Sequence, residues 1–357
     1  MYRTRCCKGR LEIVNTLDKA LNITTRRYTN ADVGLRGDRP FRVCATHWDR
    51  DGRNIVPGDD PDASPRSSRA LEMYRAHGAQ QVAVPPHTHE FHEFVFVQAA
   101  SGNEHITEEG PSALARGDVI VVAPGAVHGY SAMAGLSKTD LFIQPQWLSE
   151  ELRLLWWEGG LVQSLLATAL FNVPFYEGVW KTRLEETLFS ECEQELAAIV
   201  AELKRSRVSL AFCIGSFFKL LSIVNRAHEG VVPAERPPLD RQLWLVVTHT
   251  EEAIEHGDAL DAQKLAAQAG MSRRHLDRRF REETGLSLNE YHRNRRIQHA
   301  TRMLSESWHS VKEIAHRLNF SDTAHFVRVF KEKTGVSPGV YRREHQTTSA
   351  TAGLVHS

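Results

Sequence analysis

Apolar residues recur along this chain with two different periods, and the change from one to the other divides it. From Gln80 onward, Val82, Val84, Phe94 to Val97, Val119 to Val122 and Leu141 to Ile143 form short β-branched or aromatic runs separated by Gly and Pro. Such runs predict the strands of an antiparallel sandwich. From Trp147 to His228 the spacing becomes three and four. Leu184, Leu188, Cys192, Leu196, Ile199 and Leu203 form one stripe, and Leu210, Ile214, Phe217, Leu221 and Val224 a second. These predict helices that bury one face against each other, against the sandwich or against a second subunit. Glu229 to Leu239 contains Gly230, Pro233, Pro237 and Pro238 and reads as an extended linker. Leu243, Val246, Val247, Thr250 and Ile254 then predict a further helix.

The C-terminal stretch contains one helical unit written twice. Leu276, Arg278, Phe280, Thr284, Gly285, Ser287, Tyr291 and Arg293 are followed 50 residues later by Phe326, Arg328, Phe330, Thr334, Gly335, Ser337, Tyr341 and Arg343. Each copy predicts a short helix, a tight turn and a second helix that can enter the major groove of DNA. In the first, Asp261 caps a helix with Leu265, Ala266 and Ala269 inward, Gly270 makes the turn, and Ser272 caps the next helix. In the second, Ser310 and Glu313 form a capping box, Asn319 takes the turn position, and Ser321 or Asp322 caps the next helix. Leu276, Phe280, Phe326 and Phe330 face inward, leaving Arg274, Asp277, Arg278 and Arg281, and Thr323, Ala324, His325 and Arg328, on the outer faces.

Ala266 to Ser272, Ala315 to Asp322, Phe326, Arg328, Phe330-Lys331, Gly335, Ser337-Pro338 and Tyr341-Arg342 together resemble the DNA-binding domain of AraC/XylS transcription regulators. The resemblance covers about the last third of the chain, with Asn319 in place of the usual Gly as its departure. It implies two recognition helices joined by a long helix, roughly Leu288 to Ser305, entering successive major grooves. Arg274, Asp277, Arg278, Thr323, Ala324, His325 and Arg328 are then expected near base edges. Ser272, Arg273 and Ser321 are expected at phosphates.

Charge agrees with this reading. The 357 residues sum to zero net charge, but from Asp261 to His345 there are 17 Lys and Arg against 10 Asp and Glu, giving +7 and leaving −7 elsewhere. A basic end on a neutral chain is the footprint expected for nucleic acid, with arginines on the reader helix and at Arg293, Arg295 and Arg296. The five cysteines are dispersed, with no pair at metal-ligand spacing. No apolar run reads as a membrane span, and the N-terminus lacks the apolar core of a signal peptide, so a cytoplasmic protein is expected.

His87-Thr-His89-Glu-Phe-His-Glu93 and Gly117-Asp-Val-Ile-Val-Val-Ala-Pro124-Gly125-Ala-Val-His128 resemble the two motifs of the cupin jelly roll. The resemblance places His87, His89, Glu93 and His128 at the barrel mouth, where metal-dependent cupins hold a cation. The reading adopted is a ligand pocket with no committed metal, cofactor or catalytic residue. His92 is expected at the surface or a strand edge, and His105 carries no signal. The phrase His87 to Val97 and the later His128 look most like the sensor halves of carbohydrate-responsive regulators, including the rhamnose-responsive group, which implies a sugar or polyol effector.

The expected fold class is therefore multidomain α+β. Residues 1–39 are weakly patterned, and 40–146 form an antiparallel β jelly-roll (cupin-like) sensor carrying a loop at 49–69. Residues 147–228 form a helical dimerisation segment, 229–239 a Pro-rich linker, and 240–345 an all-α tandem helix-turn-helix domain with motifs at 261–283 and 310–333. A tail, 346–357, follows. The expected partners are double-stranded DNA, a small-molecule effector, RNA polymerase and a second copy of the chain, with no membrane. The leading function is an effector-controlled DNA-binding regulator, favoured as an activator. The alternatives are a metal-dependent cupin enzyme tethered to a DNA-binding domain, and a regulator whose N-terminal half only dimerises.

Overall fold

A computed structural model describes residues 26–28, 41–47, 83–151, 153–158, 160–171, 178–229 and 239–345. The expectations for most of 1–39, the loop at 49–69, the prolines of the linker and the tail lie outside these residues. The chain divides into two compact units, one holding most of the residues up to 235 and one holding chiefly the C-terminal helices.

Among the described residues the first unit contains ten strands: β1 (Arg26–Tyr28), β2 (Phe41–His47), β3 (Val84–His89), β4 (His92–Ala99), β5 (Glu104–Thr107), β6 (Gly110–Ala113), β7 (Asp118–Val122), β8 (His128–Tyr130), β9 (Ser137–Ile143) and β10 (Val179–Arg183). They form two five-stranded sheets, ordered β1-β3-β8-β5-β6 and β10-β7-β4-β9-β2. Every pairing is antiparallel except β1 with β3. Val84 and Tyr130 from one sheet pack with Val95, Val97, Ile120 and Val122 from the other, so the inner faces share one core. That is the sandwich predicted by the short runs.

β7 is buried along its whole length and β4 along all but its last two residues. Their outward residues are covered by helix: Phe94 meets Phe217 edge-on at 6.1 Å, and Phe217 meets Trp147 at 5.8 Å. The helices are α1 (Pro145–Glu151), a 3-10 turn (Arg153–Glu158), α2 (Gly160–Phe171), α3 (Glu186–Leu203) and α4 (Leu210–Glu229). The expectation of helix throughout 147–228 fails at β10, which pairs with β7 from Val179↔Val122 to Arg183↔Asp118. Five residues between helical stripes carry too little periodicity to announce a strand; the open edge of β7 supplies the backbone partners that specify it. Arg183 Nε donates to Asp118 Oδ1 at 2.7 Å, and Gly117 turns at φ 88°, where a Cβ would lie 2.9 Å from the Leu184 carbonyl oxygen.

α3 buries Phe189, Cys192, Leu196, Ile199 and Glu202, while Leu188 and Leu203 are only half-buried, so the face is rotated from the one expected. Glu202 is inside because its carboxylate accepts the Ser209 amide at 2.8 Å and meets Arg205 Nε at 2.9 Å, closing the α3–α4 turn. Against the sequence expectation, Leu210–Ala227 is long and apolar enough to cross a membrane, by length and composition only (mean hydropathy 1.4). In this fold 44% of that window is buried, and Lys219 Nζ reaches Glu195 Oε1 on α3 at 2.8 Å.

The second unit is all helical: α5 (Arg241–His256), α6 (Ala262–Gln268), α7 (Arg273–Thr284), α8 (Leu288–Glu306), α9 (Val311–Arg317), α10 (Thr323–Thr334) and α11 (Pro338–His345). The 50-residue repeat has a local cause. Thr284 and Thr334 each bond back to a carbonyl one turn earlier, and Gly285 and Gly335 end α7 and α10 in the left-handed conformation. Asn319 takes the turn at φ 54°, matching Gly270 at φ 68°. In both turns the next amide reaches back to an alanine carbonyl, Met271 to Ala266 and Phe320 to Ala315, each at 2.9 Å.

Candidate nucleic-acid interface and effector site

α7 and α10 each bury one stripe, Leu276, Phe280 and Thr284 in α7 and Phe326, Val329 and Phe330 in α10. Their opposite faces hold the side chains expected at DNA. Arg274, Arg278, Ala324 and Arg328 are exposed; Asp277, Thr323 and His325 are half-buried. At the helix starts Ser272 and Ser321 are exposed and Arg273 is half-buried.

Their electrostatic states differ. Arg273 Nε donates to Asp277 Oδ2 at 2.8 Å, and Arg278 Nη1 pairs with Glu282 Oε2 at 2.9 Å. Among the described residues Arg274 and Arg328 have no carboxylate partner, so their charges are exposed and unneutralised. Ser272 caps α7, accepting the His275 amide at 3.3 Å, but Asp322 rather than Ser321 caps α10, accepting the His325 amide at 2.7 Å.

Two arginines expected on the basic face are drawn inward, one wholly and one in part. Arg295 is fully buried, with Nε 2.9 Å from Glu251 Oε1 and Nη2 2.8 Å from Oε2; Tyr291 Oη donates to the same carboxylate at 2.6 Å. Burial pushes the Glu251 carboxyl up, but Arg295 outweighs it and holds the group well below the usual carboxylate range. Arg296 is half-buried against Phe320. A helix of 19 residues turns a cluster of three arginines through several faces, so Arg293 alone of the three is exposed.

In the first unit, His87 and His89 (β3), Glu93 (β4) and His128 (β8) converge between the two sheets, all buried. The close approach of β3 to β8 requires Gly129, where a Cβ would lie 2.6 Å from the Val84 carbonyl oxygen. His89 Nε2 and His128 Nε2 stand 3.2 and 3.3 Å from the same oxygen, Glu93 Oε2. One ligand atom from each of these three residues falls within 4.8 Å of the others. The His87 ring lies 4.3 Å from that of His128.

The backbone fixes two of the tautomers. A carbonyl oxygen can only accept, so Nδ1 of His89 donates to Phe91 O at 2.7 Å and Nδ1 of His87 to Pro85 O at 3.1 Å. In the neutral ring of His89, Nε2 is then a lone pair aimed at a carboxylate, an arrangement that needs a proton or a cation between the two. His89 Nε2 and His128 Nε2 are buried without a hydrogen-bond donor or acceptor in ideal geometry. Two imidazoles and one carboxylate form a donor set that fits a first-row divalent cation, and the backbone bonds are the outer contacts that orient such ligands.

Burial lowers His87 to about 4, partly offset by Glu93, and puts His128 well below its ordinary value. Burial would raise Glu93, but the His89 imidazole 3.2 Å from its carboxylate and the charge of Lys138 take it down to about 2. The site at neutral pH is therefore an ionised carboxylate beside imidazoles, of which those of His87 and His128 are neutral.

The structure corrects two histidine expectations. His92 is fully buried, not at a surface or edge, and burial takes it down to about 3. His105, which carried no signal, is buried with Nε2 3.3 Å from His128 Nδ1. Tyr130, Lys138 and Asp140 complete the polar interior: Lys138 pairs with Asp140 and lies 4.8 Å from the Tyr130 ring centroid. The overlooked signal is the pair of charged residues at alternate positions, Lys138 and Asp140, in a strand that continues into apolar Leu141, Phe142 and Ile143.

A family described as Helix-turn-helix domain matches residues 265–344. The chain is 26% identical over 244 residues to the HTH-type transcriptional activator RhaR of Escherichia coli O1:K1 / APEC, covering 67% of this chain and 80% of that one. This chain is a DNA-binding transcription regulator of the AraC/XylS type. The regulator is also 26% identical over 243 residues to RhaR of Klebsiella pneumoniae subsp. pneumoniae, with the same coverage. Among solved structures, ToxT from Vibrio cholerae O395 aligns at 11% identity with a TM-score of 0.39, covering 86% of the regulator and 98% of that chain. The DNA-binding domain of AdpA in complex with a target DNA aligns at 34% identity with a TM-score of 0.27, covering 30% of the regulator and 93% of that chain.

Proposed function

We propose that this regulator activates transcription in the cytoplasm in response to a small polyhydroxylated effector, a sugar or related polyol, bound between the two sheets of its first unit. The observation that carries the effector half is the buried polar cluster of His87, His89, Glu93 and His128, extended by His105, Tyr130, Lys138 and Asp140. Within it His89 Nε2, His128 Nε2 and Asp140 Oδ1 are buried without a hydrogen-bond partner, which costs stability unless something pairs with them, and a polyol offers a donor and an acceptor at each hydroxyl. The sequence resemblance to carbohydrate-responsive regulators supports the class, and the curated relatives are named as activators.

On the DNA, Arg274 and Arg328 reach base edges first, with Arg278 joining once it exchanges Glu282 for a base; Asp277, Thr323, Ala324 and His325 complete the reading faces. Arginine can pair bidentately with guanine, which gives sequence preference rather than mere attraction. Ser272 and Arg273 meet phosphate beside the start of α7, and Ser321 does so beside α10. Effector binding shifts an equilibrium between forms that bind promoter DNA or RNA polymerase unequally, by its differential affinity for them. A second copy of the chain joins through the α3–α4 pair.

The lone-pair geometry of His89 favours a second reading of the same site, in which His89, Glu93 and His128 hold a divalent cation. Such an ion would supply a positive centre to orient the effector's hydroxyl oxygens. His87 and His105 would then position the effector and the His128 ring. Calorimetric titration with a sugar panel, before and after chelation, tests both. Heat from a polyol with unchanged affinity after chelation supports the metal-free pocket, and heat lost on chelation supports the ion. An acidic or aromatic compound binding while every polyol fails overturns the effector class.

A further inference from the structure

Phe320 lies in the turn of the second helix-turn-helix motif, between Asn319 and the cap of α10. The Arg296 guanidinium, reaching over from α8, stacks on its ring with Cζ 3.7 Å from the centroid. His325, in the first turn of α10, meets the same ring at 5.7 Å. We propose that Arg296 binds a phosphate of the DNA backbone beside the start of α10, fixing the register in which that helix enters the groove. This extends the DNA-binding role by a residue outside the recognition helices.

The stack fixes the plane of the guanidinium and leaves its N–H edge free to face an anion, the geometry in which arginine binds phosphate. Arg296 Nε is buried without a hydrogen-bond partner. Arg273, Arg278, Arg279, Arg281 and Arg295 all have carboxylate partners, whereas among the described residues Arg296 has none. Packing does not require a cation here. α5 stands before the first motif as α8 stands before the second, and the matching positions 49 and 50 residues earlier are Val247 and Val246, both buried.

The two motifs also differ at the cap. α7 opens on neutral Ser272, so its free amides can face phosphate directly. α10 opens on Asp322, whose carboxylate accepts the His325 amide at 2.7 Å and the Ser321 hydroxyl at 3.1 Å. A negative cap repels phosphate, so α10 has more need of a nearby cation than α7. Arg296, held on the ring of Phe320 two residues before that cap, supplies one.

The test is the salt dependence of binding, read with the full chain and a short random-sequence duplex by fluorescence anisotropy between roughly 50 and 200 mM KCl. Arg296→Gln is expected to weaken binding and reduce the slope of log affinity against log salt by about 0.9, the loss of one neutralised phosphate. Arg296→Lys is expected to keep the wild-type slope. Near-UV circular dichroism checks that the variants fold, and Arg296→Met, which keeps an apolar stem over Phe320, reads the same slope if the Gln variant does not. A wild-type slope in the folded, uncharged variant overturns the proposal and makes the stack a packing contact, whatever its affinity. Failure of the wild-type chain to bind any duplex would instead remove the DNA-binding role itself.

Discussion

At the scale of single residues, what separates the candidate DNA contacts is the carboxylate each already holds. Arg278 and Glu282 are both exposed, 60% and 56%, so water screens their pairing and it contributes little to stability. It still competes with a base. Glu282→Gln should therefore tighten binding to a specific promoter site by a few-fold, on the order of 0.3 to 1 kcal/mol. Arg278→Ala should cost about 1 to 3 kcal/mol on that site and less on random DNA. Competition binding with the two duplexes reads both changes, and equal losses on both for Arg278→Ala would make it a phosphate contact. The residue types Arg, Ser and His at the outer positions were legible from helical spacing. Which arginine is already paired was not, because an ion pair one turn along a helix depends on rotamers.

At the scale of elements, the helix-turn-helix motifs were the most legible part of the chain, because their caps are local. Asp261, Ser272 and Ser310 each accept the backbone amide that their spacing predicted. Asn319 holds the left-handed turn that Gly270 holds in the first motif. Asn319→Ala should destabilise the second unit by about 1 kcal/mol, since a Cβ without a compensating polar side chain is disfavoured there, and Asn319→Gly should be neutral or stabilising. Thermal unfolding compares them. The Glu251–Arg295 pair was not legible, because 44 residues separate its members. Glu251→Gln leaves a buried guanidinium uncompensated and should cost about 3 kcal/mol. The sign with pH follows from the depressed carboxyl. Its stabilisation is present above the ordinary value of 4.5 and is lost as pH falls through the lower folded value. Chemical denaturation across acid pH should show a smaller acid-dependent loss in the Gln variant than in the wild type.

At the scale of the whole molecule, regulation requires the effector site and the DNA-binding unit to be energetically coupled. His89→Ala removes one of the groups around Glu93 without touching the second unit. It should abolish the effector's influence on promoter binding while leaving random-duplex affinity within about two-fold. Titration of promoter DNA with and without a polyol that binds the wild type checks this, and an undiminished response in the variant would exclude His89 from the site. By itself the sequence determined the helical repeat, its caps, the alternation of the strands and the histidine motif, because periodicity and capping act over a few residues and are written in neighbouring positions. Only the tertiary structure decided that β10 joins β7, that Arg295 and His92 are interior, that His105, Lys138 and Asp140 are buried in the same polar interior as Glu93, and that Arg296 lies on Phe320. Each of those depends on chain segments distant in sequence closing around a shared core, where burial and pairing set the state of a charge that composition can only count.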